Sequence, residues 1–406
     1  MEAYSEFSTR PLEHELAARL DRVFEDALDR GHFSGAAIIV SARDSFTLSR
    51  NWGHERRGGE PIGADTRFDL ASLTKPLVTV PLVMAAIARA MLGLDDKLSR
   101  FFPAPADKRD ITIRHLLGHS SGLSPFKPFF LNLIGIAPDK RREAMVSMIL
   151  ADPLDTAPGS AASYSDFGYI LLGVILEDLF GQSLDRLARE MLFEPLGLDE
   201  LHFCPITTGL SPETVPEARH PLGFPSSGPE HSREPDAEGF RYVAAELCPW
   251  RKRLLVGEVS DENAWTLGGV AGHAGLFGSA RGVFGMVSFL RDVYKGKLES
   301  GLLPRDLVRR FWTRTGFPPG STWALGFDTP RLLESSAGRF FSQTSIGHLG
   351  FTGTSFWLDL DRDVLVVLLA NRVHPTRDNE AFKKFRPLVH DIVMEALTAN
   401  CALNGA

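Results

Sequence analysis

The stretch Phe68-Asp69-Leu70-Ala71-Ser72-Leu73-Thr74-Lys75-Pro76 opens a long apolar run that continues from Leu77 to Leu92. Ala, Leu, Val and Met dominate this run, which predicts a buried helix with a kink at Pro81. A proline is tolerated in the first turn of a helix but costs roughly 3 kcal/mol in its interior, so Pro76 lies near the helix start. Ser72 and Lys75 are therefore predicted to lie in the first helical turn.

Ser72 and Lys75 are three residues apart, and residues at this spacing share one face of a helix. The lysine amine would then lie beside the serine hydroxyl, near the positive helix end and its free backbone N–H groups. A serine becomes a nucleophile when a neighbouring base takes its proton, and a lysine becomes such a base when burial disfavours its charged form. This predicts a nucleophile at Ser72. The alternative is an N-cap serine with an unrelated surface lysine.

Two other serines occur in patterns that are typical of catalytic motifs. Ser124-Pro125-Phe126-Lys127 repeats the Ser-x-x-Lys spacing, but it lies in a proline-broken loop, which indicates a chance match. Gly118-His119-Ser120-Ser121-Gly122 matches Gly-x-Ser-x-Gly, a motif that needs a helix directly after the serine. Pro125 and Pro128 disfavour such a helix, so Ser120 is predicted to be a turn serine and stays an alternative nucleophile.

His115 and His119 have the i, i+4 spacing of a zinc-binding helix. Leu116 replaces the general-base glutamate of that motif, so we expect no metal site, and nothing in the sequence calls for a cofactor.

The composition is that of an ordinary globular protein. Of the 406 residues, 44% are hydrophobic and 23% are charged, which suits one large or two medium domains. The formal net charge of −7 argues against nucleic-acid and anionic-membrane partners. The three cysteines are far apart and are predicted to be reduced and structural: Cys204, Cys248 and Cys401.

The chain from Met1 to Leu20 lacks the basic and apolar regions of an export signal. The longest apolar run is roughly a dozen residues, too short to span a bilayer, so no membrane span is expected. These features predict a cytoplasmic protein, or a periplasmic or secreted one if an export signal precedes Met1.

The order of the predicted elements indicates the architecture. Apolar residues at helical spacing between Leu12 and Leu28 predict an opening helix, and the runs 36–40 and 46–52 predict a β-hairpin. Further helices are predicted at 141–150, 170–180, 183–192, 280–294 and 381–397, and further strands at 322–327, 353–360 and 364–371. We therefore expect the α/β (α+β) class, with one antiparallel sheet built from both termini, flanked by the terminal helices, and an inserted helical region. The expected domains are 1–70 with 311–406, and 71–310.

Two segments differ from their surroundings in composition. Thr207 to Pro235 is dense in Pro, Gly, Ser and Glu, which predicts a long surface excursion, at about 205–260, that borders the substrate cleft. Gly268 to Gly275 is glycine-rich but lacks a strand-then-helix frame, so it is predicted to serve close backbone packing rather than phosphate binding.

Two more stretches carry residues suited to chemistry. Tyr164-Ser165-Asp166 stands at the head of a predicted helix, and its phenol, held near Ser72 and Lys75, could relay protons in an ionised form that a cation favours. The alternative is a packed aromatic ring. Gly347 to Gly353 contains His348, and a glycine-flanked strand edge lets a ligand backbone lie alongside it.

Together these stretches resemble the penicillin-recognising serine hydrolases, most closely the branch with class C β-lactamases, DD-peptidases and related esterases. Phe68 to Pro76 is similar to the nucleophile motif, Tyr164-Ser165-Asp166 to the tyrosine motif, and His348-Leu349-Gly350 to the third motif, usually Lys-Thr-Gly. Their order and spacing match as well, and the similarity covers nearly the whole chain. The resemblance implies a β-lactamase/transpeptidase-like fold.

The resemblance also implies an acyl-enzyme mechanism. Ser72 would attack an ester or amide carbonyl while Lys75 and Tyr164 share the proton, and the sequence leaves open which of the two is the resting base. The oxyanion hole would be the backbone N–H groups of Ser72 and Phe351, where loss of one donor typically costs about 2.7–4 kcal/mol. Water would then hydrolyse the acyl-serine.

Asp166 and His348 depart from the family's pattern. Asp166 stands where the family has asparagine, and an ionised carboxylate only accepts hydrogen bonds and would favour a charged Lys75. His348 replaces a lysine and gives up the permanent positive charge that would hold a substrate carboxylate. We therefore predict that Asp166, His348 and Gly350 bind a substrate other than a tightly held, carboxylated β-lactam.

The resulting hypothesis is a serine hydrolase that cleaves small esters or amides through an acyl-serine intermediate. One alternative is a β-lactamase or DD-peptidase. Another is a non-catalytic or slowly deacylating binding or sensor protein of the same fold. The expected partner is a small-molecule ester, amide or β-lactam, and the sequence indicates no oligomeric state.

Overall fold

A computed structural model describes residues 10–43, 45–206 and 239–403, so the excursion predicted at Thr207 to Pro235 lies outside the described residues. The strands are β1 Gly35–Ala42, β2 Phe46–Gly53, β3 Phe68–Asp69, β4 Leu201–Phe203, β5 Leu247–Cys248, β6 Arg253–Leu254, β7 Leu276–Gly278, β8 Ile346–Leu349, β9 Ser355–Asp359 and β10 Val364–Ala370. The α-helices are α1 Arg10–Asp29, α2 Val80–Ala88, α3 Ile113–Leu117, α4 Phe130–Leu133, α5 Arg141–Ala151, α6 Asp166–Phe180, α7 Leu184–Ala188, α8 Glu194–Leu196, α9 Glu262–Thr266, α10 Ala280–Lys295, α11 Arg305–Trp312 and α12 Ala381–Leu403.

The main sheet has five antiparallel strands in the order β2-β1-β10-β9-β8. Its first two strands form the predicted hairpin, and its other three come from the end of the chain. The prediction of one sheet built from both termini, with helices between, is confirmed. The domain boundaries themselves stay a prediction.

Alternate side chains of the central strands enter two cores. Ile38 and Val366 lie in a cluster shared with the terminal helices α1 and α12, which confirms that these helices flank the sheet. Ile39 and Val367 face a second cluster that contains α10 and the helical region. Because both faces of the sheet are buried, every residue of β10 is buried and its sequence is a continuous apolar run.

The prediction of a strand at Thr322 to Phe327 is wrong. This segment forms a single bridge between Trp323 and Asp328 around a tight turn. The fifth strand of the main sheet is β8, which the sequence did not predict as a strand. It is four residues long and contains a glycine, so its sequence gives only a weak strand signal. It lies at the edge of the sheet, as the glycine-flanked stretch from Gly347 predicts.

The helix predicted from Leu77 onwards begins irregularly. A 3₁₀ turn, Ala71–Leu73, and a π-helical turn, Lys75–Thr79, precede α2. In the π turn, the N–H of Val80 donates to the carbonyl of Lys75 five residues earlier. The change of geometry expected at Pro81 therefore takes the form of a widened turn just before it.

The stretch 71–88 is also a candidate membrane span by length and composition, although 83% of it is buried inside the protein. A bent pair, Asp166–Phe180 with Leu184–Leu196 at 76°, passes the same test only when joined. The sequence predicted no membrane span here because polar residues interrupt the apolar run within 71–88. A mostly buried core helix has the same composition, so this is weak evidence for a membrane span.

The glycine-rich segment packs backbone against backbone, as predicted. A Cβ atom at Gly272 would lie 2.1 Å from the carbonyl oxygen of Tyr169, and one at Gly275 would lie 2.2 Å from that of Gly269. No side chain fits at such distances. This packing brings residues 272–276 against the segment that carries Ser72 and Lys75.

Candidate active site

A strained bend precedes Ser72. Ala71 has a φ of 47°, in the left-handed region that residues with a Cβ rarely adopt. The carboxylate of Asp69 accepts the Ala71 N–H at 2.9 Å and the Ser260 N–H at 2.7 Å, which holds the bend in place. Strain of this kind concentrates at functional sites, where the surrounding structure maintains it.

The structure brings Ser72, Lys75 and Tyr164 together. The Oγ atom of Ser72 lies 2.9 Å from Nζ of Lys75 and 2.7 Å from the hydroxyl of Tyr164. Ser72 and Tyr164 are half-buried, whereas Lys75 is fully buried. One hydroxyl therefore has two proton-transfer groups in direct contact.

The amine of Lys75 has three oxygen neighbours. Besides Ser72, it lies 2.7 Å from Oδ1 of Asp166 and 3.0 Å from the carbonyl oxygen of His273. As an ammonium, Lys75 donates to all three oxygens. When it loses a proton, donation to Asp166 and His273 leaves its lone pair for the hydroxyl of Ser72. Burial lowers the pKa of Lys75, and the carboxylate of Asp166 opposes part of this change.

Tyr164 is held in its neutral form. Burial raises the pKa of Tyr164 well above its ordinary value and the Asp166 carboxylate adds to this, while the hydrogen bond with Ser72 acts in the opposite direction. The expectation that a nearby cation favours the phenolate is therefore wrong. The phenol donates its hydrogen bond to the hydroxyl of Ser72.

Asp166 is primarily the partner of Lys75 in this structure. It is the first residue of α6, where a negative charge suits the helix dipole, and its side chain is 17% exposed. The carboxylate raises the pKa of Lys75, as the sequence predicts. Its predicted contact with substrate stays a prediction.

His348 lies beside Tyr164 as a neutral imidazole. Its Nδ1–H donates to the carbonyl of Leu349 at 2.9 Å, and the ring centroids of His348 and Tyr164 are 6.2 Å apart. Burial lowers the pKa of His348 to about 3, and the charge of Lys75 adds to this effect. Its Nε2 atom has no hydrogen-bond partner among the described residues and carries a lone pair.

Sequence reasoning missed two aromatic neighbours of the site. His119 accepts the N–H of Ser165 at 3.1 Å, and its ring lies 4.5 Å from that of Tyr164. Trp323 packs 4.4 Å from His119 and 5.8 Å from Tyr164. The spacing of His119 from His115 directs attention to a metal site instead of to this contact. Trp323 lies in the segment wrongly predicted as a strand.

The loop after β8 is bonded to the residues directly before Ser72. The hydroxyl of Thr352 donates to the carbonyl of Asp69 at 2.7 Å, and a Cβ atom at Gly350 would lie 2.7 Å from the carbonyl oxygen of Leu70. Within the described residues, the backbone N–H groups of Ser72 and Phe351 have no hydrogen-bond acceptor. Both are free to serve as the predicted oxyanion donors.

The other two serine motifs lie outside this cluster. Lys127 pairs with Asp152 rather than with Ser124, whose hydroxyl lies 2.9 Å from the same carboxylate. Ser120 is buried in a loop that no helix follows directly, as predicted, and its hydroxyl has no partner among the described residues. Among the described residues, neither serine hydroxyl is hydrogen-bonded to an amine or an imidazole.

One group of described residues is close enough to hold a metal ion: Glu246, Cys248 and Glu262, whose ligand atoms lie within 4.8 Å of one another. Arg377 already bonds to both carboxylates, so the guanidinium occupies the place of a cation. Cys248 and Cys204 are buried and form no disulfide, as predicted, and the side chain of Cys401 lies outside the described residues.

Buried neutral histidines should make the protein sensitive to acid. Burial lowers the pKa of His348 and His390 to about 3 and that of His119 well below its ordinary value. The unfolded chain takes up these protons below about pH 6.5. As the pH falls from 6.5 to 3, the free energy of unfolding should therefore decrease by about 1.4 kcal/mol per pH unit for each of His348 and His390, and His119 acts in the same direction. Burial raises the pKa of Asp69 to about 6, so the folded protein takes up this proton first. Between about pH 4 and 6 this offsets the loss of unfolding free energy caused by one histidine.

Urea unfolding at several pH values, compared between the wild type and His390→Gln, measures this effect. His390 lies on α12 and its Nδ1–H donates to the carbonyl of Ser336, away from the site. In the variant, the slope of the unfolding free energy against pH should be smaller by about 1.4 kcal/mol per pH unit. Equal slopes in the two proteins would show that His390 takes up its proton in the folded state.

The chain matches known proteins along most of its length. The family model described as Beta-lactamase covers residues 20–388. Over 377 residues, 88% of this chain and 82% of the relative, the chain is 28% identical to the "Putative D-alanyl-D-alanine carboxypeptidase" of Escherichia coli (strain K12).

Solved structures share the fold at low sequence identity. EstCE1, described as a hydrolase with promiscuous acyltransferase activity, superposes with a TM-score of 0.66 at 21% identity, covering 94% of this chain and 99% of that one. A class C beta lactamase gives a TM-score of 0.67 at 16% identity, covering 94% and 98%. Because the family model spans far more than half of its length, the chain belongs to the Beta-lactamase family, within the penicillin-recognising serine hydrolase superfamily.

Proposed function

We propose that this hydrolase of the serine β-lactamase fold cleaves small esters or amides through an acyl-enzyme formed on Ser72. The observation that carries the proposal is the double contact of the Ser72 hydroxyl, 2.9 Å from the amine of Lys75 and 2.7 Å from the phenol of Tyr164. A nucleophile beside a base that a third group orients is the arrangement that acyl transfer needs.

In the proposed acylation step, the Lys75 amine takes the proton of Ser72 as Oγ attacks the substrate carbonyl. The free N–H groups of Ser72 and Phe351 would stabilise the oxyanion. The leaving group then receives a proton from the Lys75 ammonium, directly or through the phenol of Tyr164. Water hydrolyses the acyl-serine by the same route in reverse.

The charge of the site favours an uncharged acyl group. His348 occupies the position of the family's cationic residue but is neutral, since burial lowers its pKa to about 3. The Lys75 charge is already paired with Asp166. A substrate carboxylate therefore meets no unpaired cation at either position, which supports neutral esters and amides over carboxylated β-lactams.

The test is intact-mass analysis with peptide mapping after brief exposure to a p-nitrophenyl ester, with benzylpenicillin in parallel. An acyl group on Ser72 from the ester, together with steady-state turnover, is the expected result. A label on Ser120 instead would refute the proposed nucleophile. A stable label without turnover would support the binding or sensor alternative.

A second candidate is a DD-peptidase or β-lactamase. The name of the Escherichia coli relative favours it, although the identity is 28%. Release of D-alanine from an acyl-D-alanyl-D-alanine peptide, or rapid acylation of Ser72 by benzylpenicillin, would shift the assignment to this candidate.

The proposed base predicts a pH effect for Asp166→Asn. Because the carboxylate raises the pKa of Lys75, its removal should lower that pKa, and the acid limb of kcat/KM should move about one to two units to lower pH. The matched control is Asp152→Asn, which neutralises the carboxylate beside Lys127 outside the site. An acid limb that stays in place in Asp166→Asn would assign the titration to another group.

A further inference from the structure

A buried carboxylate and imidazole pair lies behind Lys75. The Nε2 atom of His273 is 2.9 Å from Oδ1 of Asp261, and the imidazole is 1% exposed. The same carboxylate oxygen accepts the N–H of Ala264 at 2.7 Å and so caps helix α9. The imidazole is thereby fixed to the start of that helix.

The backbone of His273 is bonded to the segment that carries the nucleophile. Its carbonyl accepts a hydrogen bond from Lys75 at 3.0 Å. On either side, Thr79 donates to the carbonyl of Gly272 at 2.6 Å, and the N–H of Leu276 donates to the hydroxyl of Thr74 at 3.1 Å. The segment 272–276 thus lies along the turns that contain Ser72 and Lys75, and the side chain of His273 bonds it to Asp261.

We propose that Asp261 and His273 are positioning residues for Lys75: the pair fixes the carbonyl that orients the amine and supplies a second negative charge behind it. The proposal rests on the proposed function in that Lys75 is the base. Neither residue contacts the position where a substrate would react with Ser72. Their action therefore passes through Lys75.

Several groups surround the amine of Lys75. Asp166 is in direct contact, and the rings of Tyr164 and Tyr169 lie 5.0 and 5.5 Å away. The imidazoles of His119 and His348 are neutral, and His273 contacts the amine through its backbone carbonyl while its imidazole faces Asp261. Asp261 is the second carboxylate that raises the pKa of Lys75.

Asp261 stays ionised throughout the working range. Burial alone would raise its pKa, but the contact with His273 and the hydrogen bond from the N–H of Ala264 lower it to about 2. Two carboxylates therefore oppose the effect of burial on Lys75, one by contact and one at longer range. The amine is kept from losing its proton too easily, which matters because its ammonium form must later protonate the leaving group.

The test of the charge is Asp261→Asn, since the asparagine oxygen can still cap α9 and accept from His273. The Lys75 pKa is measured by NMR titration of protein labelled with ¹³C-lysine, the signal being assigned by its loss in Lys75→Ala. We expect the pKa to fall by about one unit and the acid limb of kcat/KM to move equally to lower pH. A Lys75 pKa equal to that of the wild type would overturn the electrostatic part of the proposal.

The matched control is Glu262→Gln. Glu262 follows Asp261 in the sequence and is also a buried carboxylate, but it bonds to Arg377 instead. Its variant should leave the pKa of Lys75 unchanged. A shift as large as that of Asp261→Asn would show a general response of this region and would overturn the assignment to the pair.

Variants of His273 test whether the pair positions Lys75. His273→Ala removes the anchor and should lower kcat by about 10- to 100-fold with KM within about twofold, whereas His273→Gln, whose amide can donate to Asp261, should recover most of kcat. Wild-type kcat in His273→Ala would overturn the positioning role. The NMR titration needs no turnover, so a lowered Lys75 pKa in a protein whose Ser72 is never acylated would refute the proposed function and leave the pair intact.

Discussion

Ser72→Ala should abolish ester hydrolysis and leave the fold intact. The hydroxyl is in contact with both Lys75 and Tyr164, so its loss removes the nucleophile and the proton path together. In serine hydrolases, loss of the nucleophile lowers kcat by roughly 10⁶-fold. The unfolding free energy should fall by only about 1–2 kcal/mol, since one hydrogen-bonded hydroxyl is removed and the backbone contacts of the bend remain.

Steady-state turnover of a p-nitrophenyl ester and urea unfolding of the same preparation measure the two quantities. Ser120→Ala is the matched control because Ser120 is also a buried serine but lies outside the cluster formed by Ser72, Lys75 and Tyr164. That variant should keep wild-type turnover and stability within experimental error. Turnover retained in Ser72→Ala, or lost in Ser120→Ala with the fold intact, would contradict the proposed mechanism.

Lys75→Met should have the second largest effect, on both activity and stability. It removes the proposed base and leaves the carboxylate of Asp166, 17% exposed, without its cation. Breaking a buried ion pair costs about 3–5 kcal/mol, and we expect a value near 3 because Asp166 retains some exposure. Loss of the base should lower kcat by at least about 10³-fold.

The double variant Lys75→Met with Asp166→Asn separates the two effects. Neutralising Asp166 removes the unpaired buried charge, so the unfolding free energy should return to within about 1 kcal/mol of the wild type. Activity should stay as low as in Lys75→Met because the base is still missing. A double variant that regains turnover would show that stability alone had limited the single variant.

The sequence by itself determined the chemistry-bearing residues and the plan of the sheet. Apolar runs and apolar residues at helical spacing give the hairpin β1–β2, the strand β10 and the terminal helices, because these patterns reflect which side chains are buried. Local chemistry around Pro76 predicts the start of the helical segment, and this inference needs only residue type and spacing. The prediction that Ser72, Lys75 and Tyr164 act together also rests on the resemblance of three separated motifs to a known family.

Only the tertiary structure decided the electrostatics of the site. The pKa of Tyr164 rises rather than falls and His348 is neutral, because burial depends on residues that surround a group in space. Asp261 is far from Lys75 in sequence, and its influence exists only because the glycine-rich segment packs against α6 and brings His273 beneath the amine. Long-range packing of this kind carries no local sequence signal, whereas helix starts and strand faces do.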